Sequence, residues 1–368
     1  MIQDVFIIGA TGRVGKTLAR QILEKGDTDS SIHANPTRIV GLASSSSTIF
    51  SFKGIPKNNA LEFLNGQYKK SSAYNSFTEF IEIASRQHKM SESTLAFIDL
   101  TSLNEPMTKF HLEVIQNTDY GIATANKNPV ALSSYETFQL LTRNPRRYGY
   151  RCSVMAGAEA VPFLRDLKDL NDNLKSIQGC FSGTLSYINS ELEIGKSFSA
   201  IVREAHSKGY TEPHPRDDLS GIDVARKIVV LARTAGYEIG IDDVSIKPFV
   251  PKKYLSENNI EIFLKNLSEL DETFKERVKQ AEKYNATLRY IAIMEVKNEK
   301  VMIEVALKEV PKQSQLGSLY GTMNKIVIVS ESYPNGYSIE APGAGLEVTA
   351  RNIRRDLLDL LPERKVAL

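Results

Sequence analysis

The feature that most constrains the fold is a glycine-rich turn between a short apolar run and an amphipathic segment near the start of the chain. The apolar run is residues 5–8, and the turn that follows reads Gly9, Ala10, Thr11, Gly12, Arg13, Val14, Gly15. Apolar residues then recur at Leu18, Ile22 and Leu23, which is the spacing of one helix face. Glycines here let the backbone turn tightly and approach a pyrophosphate, which rests on the N–H groups at the helix start. Residues 9–15 are therefore candidate dinucleotide-binding residues, although the bare motif also occurs in turns that bind nothing.

Further strand and helix signals alternate through the first half of the chain. The predicted strands are 38–43, 94–99, 120–123 and 150–154, and the predicted helices are 77–86, 104–117 and 133–141. This alternation predicts an α/β fold, a Rossmann-type doubly wound parallel sheet, over residues 1–150.

Small polar residues follow the predicted strands, at the carboxyl ends where such sheets bind their cofactor. The candidate contacts are Ser44, Thr101, Ser102, Ala125, Asn126 and Lys127. Loop structure and helix capping explain such residues equally well, and for the serines at 44–47 we favour that explanation. A lysine at the end of a central strand points to the ligand crevice, although taken alone it is more often solvated.

The cofactor preference is predicted from the end of the second strand. An enzyme selective for NAD usually places an acid there, against the ribose hydroxyls. The chain has Ala43, Ser44 and Ser45 instead, while Arg13 can meet the extra ribose phosphate of NADP. We expect NADP(H), with NAD possible.

Composition excludes several classes of protein. The 368 residues suffice for two domains, and 46 Lys plus Arg against 44 Asp plus Glu leave a net charge of only +2, so no nucleic-acid partner is expected. No apolar run is long enough for a membrane span and no signal peptide is evident, which predicts a cytoplasmic protein. Two cysteines and five scattered histidines predict neither a disulfide framework nor a metal site.

The second half changes to an α+β pattern, predicted to be an inserted catalytic and dimerisation domain over residues 151–340. Its predicted helices are 160–170, 197–208, 220–235 and 259–284; its predicted strands are 176–181 and two hairpins, 288–296 with 301–307 and 325–329 with 337–339. A second small-residue turn ends at Gly345, before a predicted helix 348–361. We expect residues 341–368 to return to the first domain and close over the cofactor.

The stretch 209–227 concentrates charged residues in a loop and a helix start. Ser220 with Asp223 resembles a capping box and predicts a helix from residue 220. Lys227 follows Asp223 by four residues, so both side chains share one helix face. Two prolines stiffen the loop that carries Glu212. Such a run is often only solvated surface.

Four segments resemble homoserine dehydrogenases in sequence, order and spacing: 124–127, 183–188, 209–227 and 343–350. The resemblance is closest to the homoserine dehydrogenase portion of bifunctional aspartokinase/homoserine dehydrogenases, without the kinase. It implies reversible, NADP(H)-dependent reduction of L-aspartate semialdehyde to L-homoserine, toward threonine, methionine and isoleucine. It also implies a homodimer. No appended module for feedback control is expected.

The resemblance also implies roles for individual residues. Lys227 is the acid/base, Lys127 polarises the carbonyl, and these two roles can be exchanged. Asp223 holds Lys227 charged and oriented. The other expected substrate-binding residues are Glu212 and Asp218 for the ammonium, Thr184 and Gly183 near the polar end, and Tyr210 in the pocket wall. Unless Ser182 or Thr184 simply caps a helix, the turn at 182–184 suits a carboxylate.

The chain departs from the family pattern between residues 151 and 159. Arg151 stands where relatives have an acid, Met155 replaces a glycine and Glu159 a proline. Relatives hold a structural sodium ion there, so a cation site is doubtful in this chain. His214 also replaces an acid, which we interpret as tolerated loop variation.

Two alternatives remain at this stage. Another NADPH reductase such as a dihydrodipicolinate reductase shares the glycine turn, but its paired-histidine motif is missing. A non-catalytic NADP-binding regulatory protein would keep the glycine turn and lose the lysines, whereas Lys127, Asp223 and Lys227 are all present.

Overall fold

A computed structural model describes residues 2–24, 29, 31, 36–89, 93–298 and 300–360. The chain divides into two compact units, the first formed by residues 1–157 with 345–368 and the second by residues 158–344. No described helix combines the length and the apolar character needed to span a membrane.

The first unit contains a six-stranded sheet in the order β3-β2-β1-β4-β5-β6. Its strands are β1 (Ile2–Ile8), β2 (Thr37–Ala43), β3 (Thr48–Phe50), β4 (Ser93–Asp99), β5 (Gly121–Thr124) and β6 (Tyr148–Gly149). All neighbours pair parallel except β3, a short antiparallel edge strand that the sequence pattern did not predict. The doubly wound parallel sheet is confirmed.

Helices connect these strands. They are α1 (Arg13–Glu24), α2 (Lys57–Leu64), α3 (Thr78–Gln87), α4 (Glu105–Asn117), α5 (Asn128–Ala131) and α6 (Tyr135–Thr142). The register of β1 aligns Ile8 with both Ala43 and Asp99, and Asp99 aligns with Thr124. The carboxyl ends of four parallel strands therefore form one edge of the sheet.

The second unit contains a second six-stranded sheet in the order β12-β11-β7-β9-β10-β8. Its strands are β7 (Leu174–Cys180), β8 (Val244–Ile246), β9 (Ala286–Lys297), β10 (Lys300–Pro311), β11 (Met323–Ser330) and β12 (Tyr337–Pro342). Both predicted hairpins are confirmed, because β9 pairs antiparallel with β10 and β11 with β12. Only β8 pairs parallel, with β10.

The remaining helices are α7 (Ala160–Asp169), α8 (Gly183–Glu193), α9 (Phe198–Ser207), α10 (Arg216–Leu219), α11 (Ile222–Thr234), α12 (Lys252–Leu255), α13 (Ile260–Asn266), α14 (Asp271–Lys283) and α15 (Leu346–Asp359). Helix α15 packs in the first unit, where Gln21 on α1 donates from Nε2 to Glu347 Oε2 at 2.6 Å. Leu361, the predicted last residue of this helix, lies outside the described residues.

Two predicted elements are wrong. The strand predicted at 150–154 is instead a 3-10 turn, Arg151–Ser153, followed by Met155 and Ala156 at φ +52° and +51°, values that a strand does not adopt. The helix predicted over 259–284 is interrupted by a 3-10 turn, Leu267–Leu270. There the Asp271 carboxylate accepts hydrogen bonds from Ser199 and begins α14 separately.

Candidate functional site

The glycine turn of the first unit has the geometry that requires glycine. Gly9 has φ +80°, and a Cβ there would lie 3.0 Å from the Leu100 carbonyl oxygen. The N–H groups of Gly9 and Ala10 both donate to the Ala43 carbonyl, at 3.0 and 2.9 Å. The turn thus sits beside the end of β2, and α1 begins at the exposed Arg13.

The other predicted cofactor residues of this unit lie after β2, β4 and β5. Ser44 closes a tight turn, since its hydroxyl accepts from Ser47 N at 3.0 Å, which agrees with the loop explanation. Asn128 Nδ2 donates to the Ser102 carbonyl at 2.8 Å, and Ala125 N donates to the Asp99 carbonyl at 3.1 Å. The loops after β4 and β5, carrying Thr101, Ser102, Ala125, Asn126 and Lys127, are therefore joined.

Lys127 immediately precedes the short helix α5. Its carbonyl accepts from Ala131 N at 2.9 Å, and its side chain is half-buried. Gly345, also in the first unit, precedes α15 with φ +145°, a conformation that side chains rarely adopt.

Lys227 in the second unit is held by two oxygens. Its side chain lies on α11 and is buried; Nζ donates to the Phe181 carbonyl at 2.6 Å and lies 2.8 Å from Asp223 Oδ2. Asp223 is in the first turn of α11, where the helix dipole favours a carboxylate. The predicted pairing of Asp223 with Lys227 agrees with this geometry, and the ammonium has a defined position.

The predicted capping box at Ser220 is wrong. The residue that precedes α11 is Gly221 at φ +75°, and a Cβ there would overlap the Tyr290 hydroxyl. Ser220 instead ends α10 and accepts from Ile222 N at 3.2 Å. Close contact with β9 therefore selects glycine where the sequence pattern favoured a serine cap, and the helix starts two residues later.

Hydrogen bonds fix the loop that carries the predicted ammonium-binding residues. Thr184 Oγ1 donates to the Tyr210 carbonyl at 2.6 Å, and the Glu212 N–H donates to Asp218 Oδ2 at 2.8 Å. Desolvation raises the pKa of Asp218 to about 6, although the hydrogen bond from the Glu212 N–H opposes the rise. Glu212 is exposed, and the Tyr210 ring packs edge-on against Tyr187.

The turn at 182–184 is a helix start. Ser182 Oγ accepts from Leu185 N at 3.2 Å, which is the capping explanation, and Gly183 is the first residue of α8. His214 packs against Phe263 and accepts from Arg216 N at 3.2 Å through Nδ1. His214 thus has a structural place in the loop.

Arg151 lies in the segment where relatives hold a structural sodium ion. Its buried guanidinium donates to Asp356 Oδ1 at 2.7 Å and pairs with Asp359. Burial alone would lower the Arg151 pKa, but the two carboxylates outweigh burial and raise it. The Ala156 carbonyl already accepts from Asn352 Nδ2 at 2.8 Å. A guanidinium in place of an acid does not fit a sodium ion, and no group of three or more metal-ligating side chains occurs among the described residues.

Sequence reasoning missed two groups that the structure places beside the candidates. The Phe181 carbonyl has no signal in the sequence, because any residue at the end of β7 supplies it. Asp99, by contrast, had a signal: it is an acid at the last position of an otherwise apolar strand, residues 95–99.

A doubly wound parallel sheet with a glycine turn at its carboxyl edge is the architecture of Rossmann-type dinucleotide-binding proteins, and the second unit contains a buried, paired lysine. The homoserine dehydrogenase family model matches residues 162–358. A Saccharomyces cerevisiae homoserine dehydrogenase is 33% identical over 281 residues, covering 74% of this chain and 77% of the yeast protein. The chain belongs to the homoserine dehydrogenase family.

A longer relative supports the family assignment, and solved structures share the fold. A chloroplastic bifunctional aspartokinase/homoserine dehydrogenase of Zea mays is 31% identical over 97% of this chain, which spans only 38% of the maize protein. A Candida auris protein of unknown function is 28% identical, with TM-score 0.85 and 98% of each chain covered. A hyperthermophilic archaeal homoserine dehydrogenase in complex with NADPH, 21% identical, shares the fold with TM-score 0.72 over 98% of each chain. The dihydrodipicolinate reductase and non-catalytic alternatives are not favoured.

Proposed function

We propose that the chain catalyses the reversible, NADP(H)-dependent interconversion of L-aspartate semialdehyde and L-homoserine. The observation that carries the proposal is Lys227, a buried ammonium fixed by the Phe181 carbonyl and by Asp223 in a chain of this family. A reaction that makes or consumes an alkoxide needs a positioned proton donor and acceptor, and Lys227 has the required definition of place.

Proton transfer is the part of the reaction assigned to the chain itself. When bound, NADPH would supply the hydride for the aldehyde carbon, and NADP⁺ would accept it in the reverse direction. In reduction Lys227 gives a proton from Nζ to the oxygen; in oxidation the neutral amine takes the proton from the hydroxyl. Asp223 orients the amine. Lys127 contributes positive charge that polarises the carbonyl. In an alternative version of this proposal, Lys127 is the proton donor and Lys227 polarises the carbonyl.

Substrate recognition is assigned to the loop 209–219 and the start of α8. The carboxylates of Glu212 and Asp218 are proposed to meet the substrate ammonium. Tyr210 lines the pocket, and Thr184 with the Gly183 backbone lies near the polar end. The hydrogen bonds from Thr184 to Tyr210 and from Glu212 to Asp218 support this grouping, because they hold these residues in one region.

The cofactor assignment is NADP, with NAD possible. The residues fit a dinucleotide. The glycine turn at the carboxyl edge of the sheet leaves room for a pyrophosphate close to the backbone, and the N–H groups of the first turn of α1 lie at the same place. The residues proposed to hold it are Gly9, Ala10, Thr11, Gly12, Arg13, Val14, Gly15, Ser44, Thr101, Ser102, Ala125, Asn126, Lys127 and Gly345. The missing acid after β2 and the exposed Arg13 favour the phosphorylated form, and a relative of the same fold binds NADPH.

The proposal has three further parts. The protein is a homodimer, it is cytoplasmic, and its reaction belongs to the synthesis of threonine, methionine and isoleucine. The strand β12 supports the dimer, since it is an edge strand of the second sheet with exposed and half-buried residues along its whole length. Sedimentation of the purified chain tests it, and a single monomeric species would contradict it.

The reduction direction tests the function itself. Purified chain is mixed with NADPH and L-aspartate semialdehyde, and the product is identified by mass spectrometry. We expect homoserine formed in equal amount to NADPH consumed. NADPH consumption without homoserine would identify a different reductase, and no consumption would support a non-catalytic NADP-binding protein.

A further inference from the structure

Asp99 is a buried carboxylate outside the residues assigned to the reaction. It ends β4 and is 1% exposed. Its Oδ1 accepts from Thr101 N at 2.8 Å, and its Oδ2 accepts from Asn126 Nδ2 at 2.9 Å. A single side chain thus fastens the loop that follows its own strand and the loop that follows the neighbouring strand β5.

The second of these links leads directly to Lys127. Asn126 also donates from Nδ2 to the Leu103 carbonyl at 2.7 Å, and its Oδ1 accepts from Asn128 N at 3.1 Å. Asn128 in turn donates to the Ser102 carbonyl at 2.8 Å. Lys127 therefore lies between two asparagines that are both tied to the loop after β4, and these ties set the direction in which its backbone leaves the sheet.

A histidine supports Asp99 from behind. His111 on α4 is fully buried, with Nε2 3.3 Å from Asp99 Oδ2 and Nδ1 2.8 Å from the Tyr148 hydroxyl. Burial alone would raise the pKa of Asp99, but the nearby His111 ring and the hydrogen bond from Thr101 N outweigh burial and lower the pKa. Asp99 stays an acceptor at both oxygens, which is the form that can hold two loops at once.

In the described part of the chain, the same sheet contains a second buried aspartate–histidine pair that does not contact the loops at the carboxyl edge. Asp4 on β1 is also fully buried and lies 3.2 Å from a histidine, His88, while accepting from Ser93 Oγ at 2.6 Å and Arg38 Nε at 2.7 Å. Asp4 aligns with Leu95, so it is about 13 Å from Asp99 along the strands. These partners of Asp4 lie away from the carboxyl edge, and the pair is a natural control.

We propose that Asp99 is a positioning residue for the reaction, holding Asn126 and through it the backbone of Lys127 at the carboxyl edge of the sheet. The proposal rests on the proposed function insofar as Lys127 acts on the carbonyl. An amide at position 99 must turn an NH₂ group toward one of its two present donors. Asparagine at position 99 therefore loses the hydrogen bond to one of the two loops, although its volume is nearly that of aspartate.

Steady-state kinetics tests the catalytic consequence. Asp99→Asn and Asn126→Ala are each expected to lower kcat about 10- to 100-fold, the scale of a small misplacement of a reacting group. The KM for homoserine should stay within about threefold, because the ground-state contacts are assigned elsewhere. The double variant should fall no further than the worse single variant, since both remove the same link. Asp4→Asn should keep kcat within about twofold while lowering the melting temperature.

Hydrogen exchange tests the clamp independently of turnover. Asp99→Asn should speed exchange in a peptide covering residues 121–131, and Asp4→Asn should leave that peptide unchanged. If the wild type did not turn over homoserine, the proposed function would fail while this comparison still decided the clamp. If Asp99→Asn does not fold, Asn126→Ala is measured by the same two methods.

Three results overturn the proposal: full additivity in the double variant, an equal loss of kcat in Asp4→Asn, or unchanged exchange at 121–131 in a folded Asp99→Asn or Asn126→Ala protein.

Discussion

Lys227 and Lys127, the two lysines singled out by the sequence, lie in different local structures. Lys227 projects from a 13-residue helix, and its ammonium itself is held, by the Phe181 carbonyl at 2.6 Å and Asp223 at 2.8 Å. Lys127 immediately precedes a four-residue helix in a loop, and its backbone is held by the side chains of its neighbours Asn126 and Asn128. The contacts of Lys227 fix its ammonium, and the contacts of Asn126 and Asn128 fix the backbone on either side of Lys127.

This difference is consistent with the roles proposed for the two lysines. Proton transfer needs a donor atom at a defined distance, and Lys227 suits this role because its ammonium is fixed. Polarising a carbonyl demands charge of the right sign in the right region, and a half-buried lysine on an anchored backbone meets that demand. Each variant below either sharpens this contrast or breaks it.

The largest expected effect belongs to Lys227→Ala. Without the proton donor, kcat should fall about 1,000-fold, within the range for general acid–base groups. Binding of NADPH, measured by its fluorescence, should be unchanged because the residues proposed to hold the nucleotide lie in the other unit. Near-normal turnover in this variant would show that Lys227 is not the acid.

Lys127→Ala should cost less, about 100-fold in kcat, the effect of removing one electrostatic contact to the reacting oxygen. Lys127→Arg keeps the charge and should recover most of that loss, whereas Lys227→Arg should not recover, because arginine does not give up its proton. If Lys127→Ala loses more than Lys227→Ala and arginine fails at 127 only, the two roles are exchanged.

Asp223→Asn should lower kcat about tenfold, corresponding to ~1.5 kcal/mol for one hydrogen bond to a charged group. Stability should fall only modestly, because the Asp223 side chain is 42% exposed and the buried Lys227 ammonium keeps the Phe181 carbonyl as an acceptor. Urea denaturation separates the two readouts. A large loss of stability with unchanged kcat would make the pair structural.

The smallest effect concerns pH and the loop of the second unit. As pH falls through about 6, Asp218 takes up a proton, so its attraction for the substrate ammonium weakens and the KM for homoserine rises several-fold. The pKa of Asp218 in the folded protein lies above the ordinary value of 3.8, so the folded state binds this proton more tightly and gains stability as pH falls. Protonation of Asp218 therefore does not unfold the protein, and a rise in KM at low pH cannot be attributed to unfolding caused by this group. Asp218→Asn should have a high KM with no such pH dependence.

Patterns that are local in sequence predicted most of the fold. The β/α alternation and both hairpins followed from periodicity and turn residues, because those depend on neighbours in the chain. The predicted strand at 150–154 failed because Arg151 is held by Asp356, about 200 residues away. The capping box at Ser220 failed because Tyr290 requires Gly221.

The candidate site divides in the same way. Asp223 and Lys227 were predictable as a pair, since four residues on a helix bring side chains together. The Phe181 carbonyl that completes the Lys227 position and the Asp99 clamp behind Lys127 are tertiary contacts. A residue type alone does not indicate such contacts.

The measurement that tests the account most directly is the initial rate of NADP⁺ reduction with L-homoserine, for the wild type and Lys227→Ala side by side. We predict NADPH formation by the wild type that depends on the L enantiomer, and a rate about 1,000-fold lower in the variant. No NADPH from the wild type, or equal rates in both proteins, would contradict the account.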